Sequence, residues 1–175
     1  DTKEVVWSWN VFDHFSMEDF DALGGTWLPS STGYQEYDWT HLNAMIFSEE
    51  ESAIYISIRH LSRITKIAYP SGEVIWNMGR DMPSGEVTLG NDFGFSFQHG
   101  LQKIENGNII TFDNGNLSQH FLNTEVPTSR ALEISILNDQ SSIVWEHSLP
   151  ENLFGFASGN AQKLENGNYL ITTVG

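Results

Sequence analysis

The sequence predicts an all-β fold, a β-propeller built of four-stranded antiparallel blades and present only in part. An aliphatic residue followed by tryptophan recurs at two equal intervals, at 6–7, 75–76 and 144–145. A second motif, Gln-Lys-(Ile or Leu)-Glu-Asn-Gly-Asn, occurs at 102–108 and again at 162–168. The spacing of the first motif is similar but not equal to that of the second. This indicates one supersecondary unit that is repeated with loops of different length.

The first predicted blade contains four short apolar strands, at 40–47, 53–59, 63–69 and 73–78. The tripeptide Pro-Ser-Gly at 70–72 supplies the turn between the last two strands. The predicted blade unit therefore covers about residues 38–79.

The second predicted blade repeats this arrangement at 97–104, 108–112, 130–137 and 142–146, within a unit of about 95–148. Its first two strands are joined by Asn-Gly, a strong hairpin signal because both central residues of a type I′ turn need a positive φ. This pattern predicts a type I′ turn there.

Parts of two more blades flank these units. Residues 5–9 predict the last strand of a preceding blade within 1–12, and residues 158–164 and 169–173 predict the first two strands of a following blade within 155–175. The chain is then a single partial domain over 1–175. A propeller ring normally has at least four blades, so we expect either missing blades of the same protein or a second copy to close it.

A β-sandwich is the alternative fold, because strand alternation alone does not distinguish a sandwich from a propeller. The repeat favours the propeller, since repetition of four-stranded units around a channel is how propellers are built.

The composition excludes several classes of partner. Asp and Glu number 23 against 8 Lys and Arg, a net charge of -15, which repels nucleic acid and anionic membrane surfaces. The sequence has no apolar run of the roughly 18 residues that membrane insertion by a helix requires. The absence of cysteine excludes disulfides and thiolate chemistry.

Four polar residues at the ends of predicted strands form the candidate site: His41, Asn43, Arg59 and His99. Brought together from separate strands, they suit an oxyanion such as sulfate or phosphate. Arginine offers a planar fork of donors, asparagine adds a neutral donor, and histidine can donate, accept or attack.

The chain resembles the arylsulfate sulfotransferases, the arylsulfotransferase family. Seven motifs carry the resemblance in the family's order: Asp-Trp-Thr-His-Leu-Asn (38–43), Ile-Ser-Ile-Arg-His (56–60), Gly-Glu-Val-Ile-Trp-Asn-Met-Gly (72–79), Phe-Gln-His (97–99), Phe-Asp-Asn-Gly (112–115), Ser-Arg-Ala-Leu-Glu-Ile (129–134) and Gly-Asn-Ala-Gln (159–162). The resemblance implies a six-bladed propeller. It also implies transfer of a sulfuryl group from a phenolic sulfate ester to a phenol without a nucleotide donor or another cofactor.

The resemblance also implies a role for each of the four residues. His99 matches the family's nucleophile, which carries the sulfuryl group as a sulfohistidine in ping-pong turnover, while His41 and Asn43 match the pair that holds sulfuryl oxygens. Arg59 matches the active-site arginine. A further family histidine lies in a blade that this sequence does not contain, so the chain by itself could be inactive. We expect a secreted or periplasmic protein that acts on small-molecule aryl sulfates and phenols.

Other residues receive supporting interpretations. His41 is also a candidate acid or base for the phenol, and Trp39, Phe95 and Phe97 are candidates to stack on the aryl ring. Lys163 is expected to face the channel, and Arg130 to belong to the scaffold beside the site. The histidines outside these motifs form no metal-binding pattern, so no metal site is predicted.

Two other functions stay open on the sequence alone. One is a binding propeller for sulfated or phenolic ligands or for protein partners, and the other is an aryl sulfate hydrolase in which water accepts the sulfuryl group. A structural histidine at His41 and an ordinary surface ion pair at Arg59 are the corresponding non-catalytic interpretations.

Overall fold

A computed structural model describes residues 2–21, 23, 27–29, 35–86, 88–89 and 92–174. The strands are β1 (Trp27–Pro29), β2 (Gln35–Tyr37), β3 (Leu42–Ser48), β4 (Ala53–Ile58), β5 (Arg63–Ala68), β6 (Val74–Gly79), β7 (His99–Lys103), β8 (Ile109–Asp113), β9 (Arg130–Leu137), β10 (Gln140–Ser148), β11 (Ser158–Lys163) and β12 (Tyr169–Val174). A short helix α1 (Ser118–Phe121) and two 3₁₀ turns (Val11–Asp13 and Glu151–Leu153) complete the described elements. None of the helices in these ranges has the length and apolar character to cross a bilayer.

The strands form antiparallel sheets of neighbours in sequence. The first sheet has the order β3-β4-β5-β6, the second β7-β8-β9-β10, and the third contains β11 and β12; β1 and β2 form a small separate pair. The predicted all-β fold with four-stranded antiparallel sheets is confirmed. In both larger sheets the predicted and observed strands differ only at their ends.

The second strands of the larger sheets are buried along their whole length. β4 reads Ala-Ile-Tyr-Ile-Ser-Ile and β8 reads Ile-Ile-Thr-Phe-Asp, and each residue in them is buried. β-branched and aromatic side chains favour such strands because they pack well on both faces of a pleated sheet. β10, by contrast, lies at a sheet edge and exposes most of its residues.

The predicted strand at residues 5–9 is wrong, because this segment enters no sheet in the described structure. Its two tryptophans instead bind the turn at the end of β5: Trp7 Nε1 donates to Pro70 O at 3.0 Å, and Trp9 Nε1 donates to Gly72 O at 2.8 Å. The tryptophan repeat therefore reflects side-chain packing at this position and not a backbone ladder.

The predicted type I′ turn at Asn-Gly is also wrong. Only the glycine has the left-handed conformation, with φ of 87° at Gly107. Its N–H donates to Ile104 O at 2.9 Å, as expected for a type I turn followed by a left-handed glycine. A two-residue turn with positive φ at both positions lies instead at Asn138 and Asp139, between β9 and β10.

Apolar cores fill the space between successive sheets. The core between the first and second sheets includes Tyr55, Ile64, Met78, Ile109 and Leu132, all nearly or fully buried. Burial of each such side chain contributes about 1.5 to 3 kcal/mol. The first strands are also neighbours, since β3 contacts β7 and β7 contacts β11. The starts of these three strands consequently meet in one place.

A lysine and a carboxylate connect the sheets at each junction, and both lysines come from the repeated Gln-Lys motif. Lys103 of β7 lies 3.5 Å from Glu51 of the first sheet, and Lys163 of β11 lies 2.7 Å from Glu133 of the second sheet. A tyrosine also donates to each carboxylate: Tyr55 donates to Glu51, and Tyr169 of the third sheet donates to Glu133. Lys163 is thus paired with Glu133, and the repeat explains its position.

Candidate active site

A cavity of about 580 Å³ lies near the starts of β3, β7 and β11. Its described lining residues are Leu23, Asp38, His41, Arg59, His60, Phe97, Asn116, Leu117, His120 and Ala157. The lining combines one guanidinium, one carboxylate and three imidazoles with several apolar groups, in a chain whose net charge is -15. The carboxylate of Asp38 is engaged by His41, which leaves the guanidinium of Arg59 and the imidazoles as donors for an anionic ligand that also has an apolar part.

Asp38 fixes the imidazole of His41. The carboxylate Oδ2 of Asp38 accepts a short hydrogen bond from His41 Nδ1, while the His41 side chain stays 44% exposed. The backbone of His41 has φ of 48°, a conformation that non-glycine residues rarely adopt and that concentrates at functional sites. His41 O accepts from Arg59 N at 3.2 Å, which helps to hold this conformation. The second ring nitrogen, Nε2, is left for the cavity.

His60 and Phe97 orient the guanidinium of Arg59. Arg59 Nη1 lies 2.6 Å from His60 Nε2, and the guanidinium carbon lies 4.5 Å from the centre of the Phe97 ring. Arginine only donates, so His60 Nε2 accepts and His60 Nδ1 donates to Asp38 O at 2.5 Å. Burial lowers the pKa of His60, which favours this neutral form.

Arg59 also reaches across to the segment before β11. Its Nη2 donates to Phe156 O at 3.2 Å. Burial lowers the pKa of Arg59, although a guanidinium stays protonated in proteins. The site therefore contains a fixed positive charge whose orientation is set by residues near the starts of all three sheets.

His99 lies behind the cavity wall and is only 8% exposed. Its Nδ1 lies 2.7 Å from Asn114 Oδ1 and 3.0 Å from Phe97 O. Burial lowers the pKa of His99; the hydrogen bond to Asn114 opposes this effect, and the positive charge of Arg59 adds to it. At neutral pH the imidazole is therefore uncharged and can act as a nucleophile.

Asn43 connects the first sheet to the segment that carries His99. Its Nδ2 donates to Gln98 O at 2.7 Å, and its Oδ1 is buried without a hydrogen-bond partner among the described residues. Among the described lining residues of the cavity, His41 and Arg59 are present, while Asn43 and His99 are not. The four predicted site residues thus lie in one region, two on the cavity wall and two behind it.

The remaining sequence candidates have other partners. Trp39 is buried in the core, where its indole nitrogen donates to Asp19 O at 2.5 Å, and Arg130 is buried against Asp113 at 2.8 Å. Phe95 lies in the core, and the face of Phe97 is covered by Arg59. Phe97 still lines the cavity, and Leu23, Leu117 and Ala157 supply the rest of its apolar surface.

Sequence reasoning missed three polar residues in the β8–β9 connection. Asn114 contacts His99; Asn116 donates to Phe156 O at 3.0 Å, the carbonyl that Arg59 also contacts; and His120 lines the cavity. The Phe-Asp-Asn-Gly motif carries the family resemblance, but no predicted site residue was taken from it. Had the pairing of His99 with Phe112 been known, it would have placed the end of β8 beside the histidine.

Asp38, His41 and His60 could in principle hold a metal ion, because their ligand atoms lie within 4.8 Å of one another. Both ring nitrogens of His60 are already engaged, one by Asp38 O and the other by Arg59. A cation bound there would also lie beside the guanidinium. This electrostatic environment suits an anion better than a metal ion.

Comparison with known proteins identifies the family of the chain. The family model described as Arylsulfotransferase (ASST) matches residues 1–174. No curated protein matches the chain.

Proposed function

Because the chain belongs to the arylsulfotransferase family, we propose that it transfers a sulfuryl group from a phenolic sulfate ester to a phenolic acceptor without a nucleotide donor. The observation that carries this proposal is the position of a neutral imidazole, His99, within the electrostatic influence of the oriented guanidinium of Arg59. A nucleophile and an oxyanion-binding cation are the two groups that sulfuryl transfer needs most.

In the first half-reaction, a ring nitrogen of His99 attacks the sulfur atom of the donor. An N–S bond forms while the S–O bond to the aryl group breaks, and the bonding electron pair leaves on the phenolate oxygen. Arg59 binds sulfuryl oxygens, where charge accumulates. When the sulfuryl group passes the cavity wall to reach His99, the second N–H of the Asn43 amide, whose other N–H donates to Gln98 O, also binds a sulfuryl oxygen. His41, when protonated and held by Asp38, donates a proton to the departing phenolate.

The second half-reaction reverses these roles. Neutral His41 takes the proton of the incoming phenol, and the phenolate oxygen attacks sulfur while the N–S bond breaks and its electron pair returns to His99. Donor and acceptor then occupy the same cavity in turn, which gives ping-pong kinetics. Leu23, Leu117 and Ala157 provide the apolar surface for both aryl rings.

Intact-protein mass spectrometry tests this proposal. Brief exposure to an aryl sulfate at alkaline pH should add the mass of one sulfuryl group to the chain, and His99→Ala should abolish this gain. Addition of a phenol should then return the protein to its starting mass and yield the sulfated phenol. Release of the group to water at the same rate would indicate a hydrolase, and donor binding without any mass gain would indicate a binding protein.

We also propose that the three sheets are blades of a propeller. The contacts between β3, β7 and β11 support this arrangement, and the third sheet has two strands where the others have four. Missing blades of the same protein or a second copy would complete the ring. Sedimentation analysis separates these cases, because closure by a second copy requires a mass of twice 19.7 kDa.

A secreted or periplasmic location is a further proposal from the family resemblance. Fractionation of the source cells tests it, since the protein should then be recovered outside the cytoplasm.

A further inference from the structure

Asn114 lies at the end of β8, and its side-chain amide has contacts at both ends. Its Nδ2 donates to two backbone carbonyls in the segment that leads into the third sheet, Gly155 O at 2.5 Å and Ser158 O at 3.2 Å. Its Oδ1 lies 2.7 Å from His99 Nδ1. The amide therefore connects the backbone before β11 to the imidazole on β7.

The orientation of this amide follows from its partners. A carbonyl oxygen can only accept, so the end of the amide that faces Gly155 O and Ser158 O must be the NH₂ group. The oxygen of the amide must then face His99. The other neighbour of His99 Nδ1, Phe97 O at 3.0 Å, is also an acceptor.

Two acceptors around Nδ1 require that this nitrogen carries the proton. In the neutral imidazole only one ring nitrogen is protonated, so Nε2 holds the lone pair. Among the described residues, none forms a hydrogen bond to Nε2. We infer that Asn114 is a positioning residue that selects the Nδ1–H tautomer of His99 and so makes Nε2 the attacking atom.

This inference rests on the proposed function. The contact between Asn114 and His99 also has a second effect. When Nε2 attacks sulfur, the imidazole ring acquires a positive charge. Asn114 Oδ1 and Phe97 O accept from the Nδ1–H group and stabilise that charge, because hydrogen bonds to a charged donor are stronger than those between neutral groups. Arg59 and His41 also face His99, and their positive charges, when present, destabilise the charged ring.

The surrounding backbone keeps Asn114 in place. Ser129 Oγ donates to Asn114 O at 2.7 Å and accepts from Gly155 N at 3.0 Å. The turn residue and the segment before β11 are thus tied to each other independently of the histidine. The third sheet thereby sets the protonation site on a nucleophile that belongs to the second sheet.

Nitrogen-15 NMR of the histidine-labelled chain tests the inference without any sulfate donor. At about pH 8, where a free imidazole is neutral, Nε2 of His99 should show the chemical shift of an unprotonated ring nitrogen. His99→Gln assigns the signal. In Asn114→Leu the shifts of the two ring nitrogens should move toward each other, because only Phe97 O then favours the Nδ1–H tautomer. A protonated Nε2 in the unaltered chain, or no change in Asn114→Leu, would overturn the inference.

Kinetics provide the second measurement. Asn114→Leu should lower the rate of His99 sulfurylation by about 10- to 100-fold, the range typical of removing the orienting partner of a metal-binding histidine, with little change in donor KM. Asn114→Asp keeps an acceptor for Nδ1–H but adds a negative charge, so the acid limb of the pH profile should move to higher pH. Asn152→Leu, at an exposed position in the same region of the chain, is the matched control. If the tautomer changes in Asn114→Leu but the unaltered chain is never sulfurylated, the proposed function is rejected. The role of Asn114 in selecting the tautomer is then retained.

Discussion

At the scale of single residues, the site depends on groups whose protonation is set by burial and by neighbours. His99 and His60 are both buried imidazoles with lowered pKa values, yet they have different roles. His60 has both ring nitrogens engaged and serves to orient Arg59. His99 has partners on Nδ1 alone among the described residues, and this difference supports the proposal that His99 is the nucleophile.

The lowered pKa of His99 predicts the pH dependence of the first half-reaction. Only the neutral imidazole attacks, so the rate falls as pH drops through the pKa of His99, and burial together with Arg59 and His41 moves this midpoint below the ordinary 6.5. The initial rate of mass gain, measured by rapid quench over about pH 4 to 8, gives the midpoint. In His41→Gln the midpoint should move upward, because one nearby charge is removed; a midpoint at or above 6.5 in the unaltered chain would contradict the assignment.

The sequence indicated that the four candidate residues would lie in one region, because they belong to short motifs at strand ends and strand direction brings them to one end of the sheets. It did not predict Asn114, since the contact with His99 depends on the path of a turn and on carbonyls of the third sheet. Trp39 was misleading because a tryptophan beside a site residue can equally well point into the core.

At the scale of elements, the turn after β8 determines whether Asn114 reaches its partners. Gly115 has φ of 68°, and a Cβ atom there would lie 1.8 Å from Thr128 O. This close approach allows Asp113 to accept from both Gly115 N and Ser96 N, each at 2.9 Å. Only glycine permits both the conformation and the contact.

Gly115→Ala should therefore destabilise the chain more than an alanine at another left-handed glycine. Gly107 is the matched control, because it also has a positive φ but no atom within 4 Å of a Cβ atom. We expect a loss of about 1 kcal/mol for Gly107→Ala and about 2 to 4 kcal/mol for Gly115→Ala. Urea unfolding measures both values, and equal losses in the two variants would show that the contact with Thr128 O is not restrictive.

Strand positions were more predictable than turns and packing. Alternating and continuous apolar runs determine where β3 to β12 lie, since a strand must bury one or both faces. The segment at 5–9 shares this pattern but has no strand to pair with in the described structure. Its valines remain exposed while its tryptophans pack on a turn, an outcome that local sequence does not reveal.

At the scale of the whole molecule, the negative net charge of the chain opposes the binding of an anionic donor in the cavity. The chain carries a net charge of -15, while the cavity contains the positive charge of Arg59, and the one carboxylate in its described lining, Asp38, is engaged by His41. An anionic donor is therefore repelled at long range and attracted only near the site. The Debye length of about 8 Å at physiological ionic strength separates these two regimes.

Salt should consequently favour use of the donor. Raising the ionic strength from about 0.01 M to 0.15 M should increase kcat/KM for an aryl sulfate by a factor of roughly two to ten, because it screens the repulsive field more than the contacts in the cavity. The neutral phenol provides the internal control, since its kcat/KM should change little. Steady-state kinetics with each substrate varied in turn measures both, and a decrease for the donor would mean that local attraction dominates.

The carbonyl of Phe156 gives the molecule an additional property. Arg59 comes from the first sheet and Asn116 from the second, and both donate to this one oxygen just before the third. Local opening of β11 and β12, a pair of two strands, would remove this contact of the guanidinium while the two larger sheets, with His60 and Phe97, stayed folded. The proposed activity should then fall in denaturant before the bulk of the β-structure unfolds, because the site depends on its least stable cooperative unit.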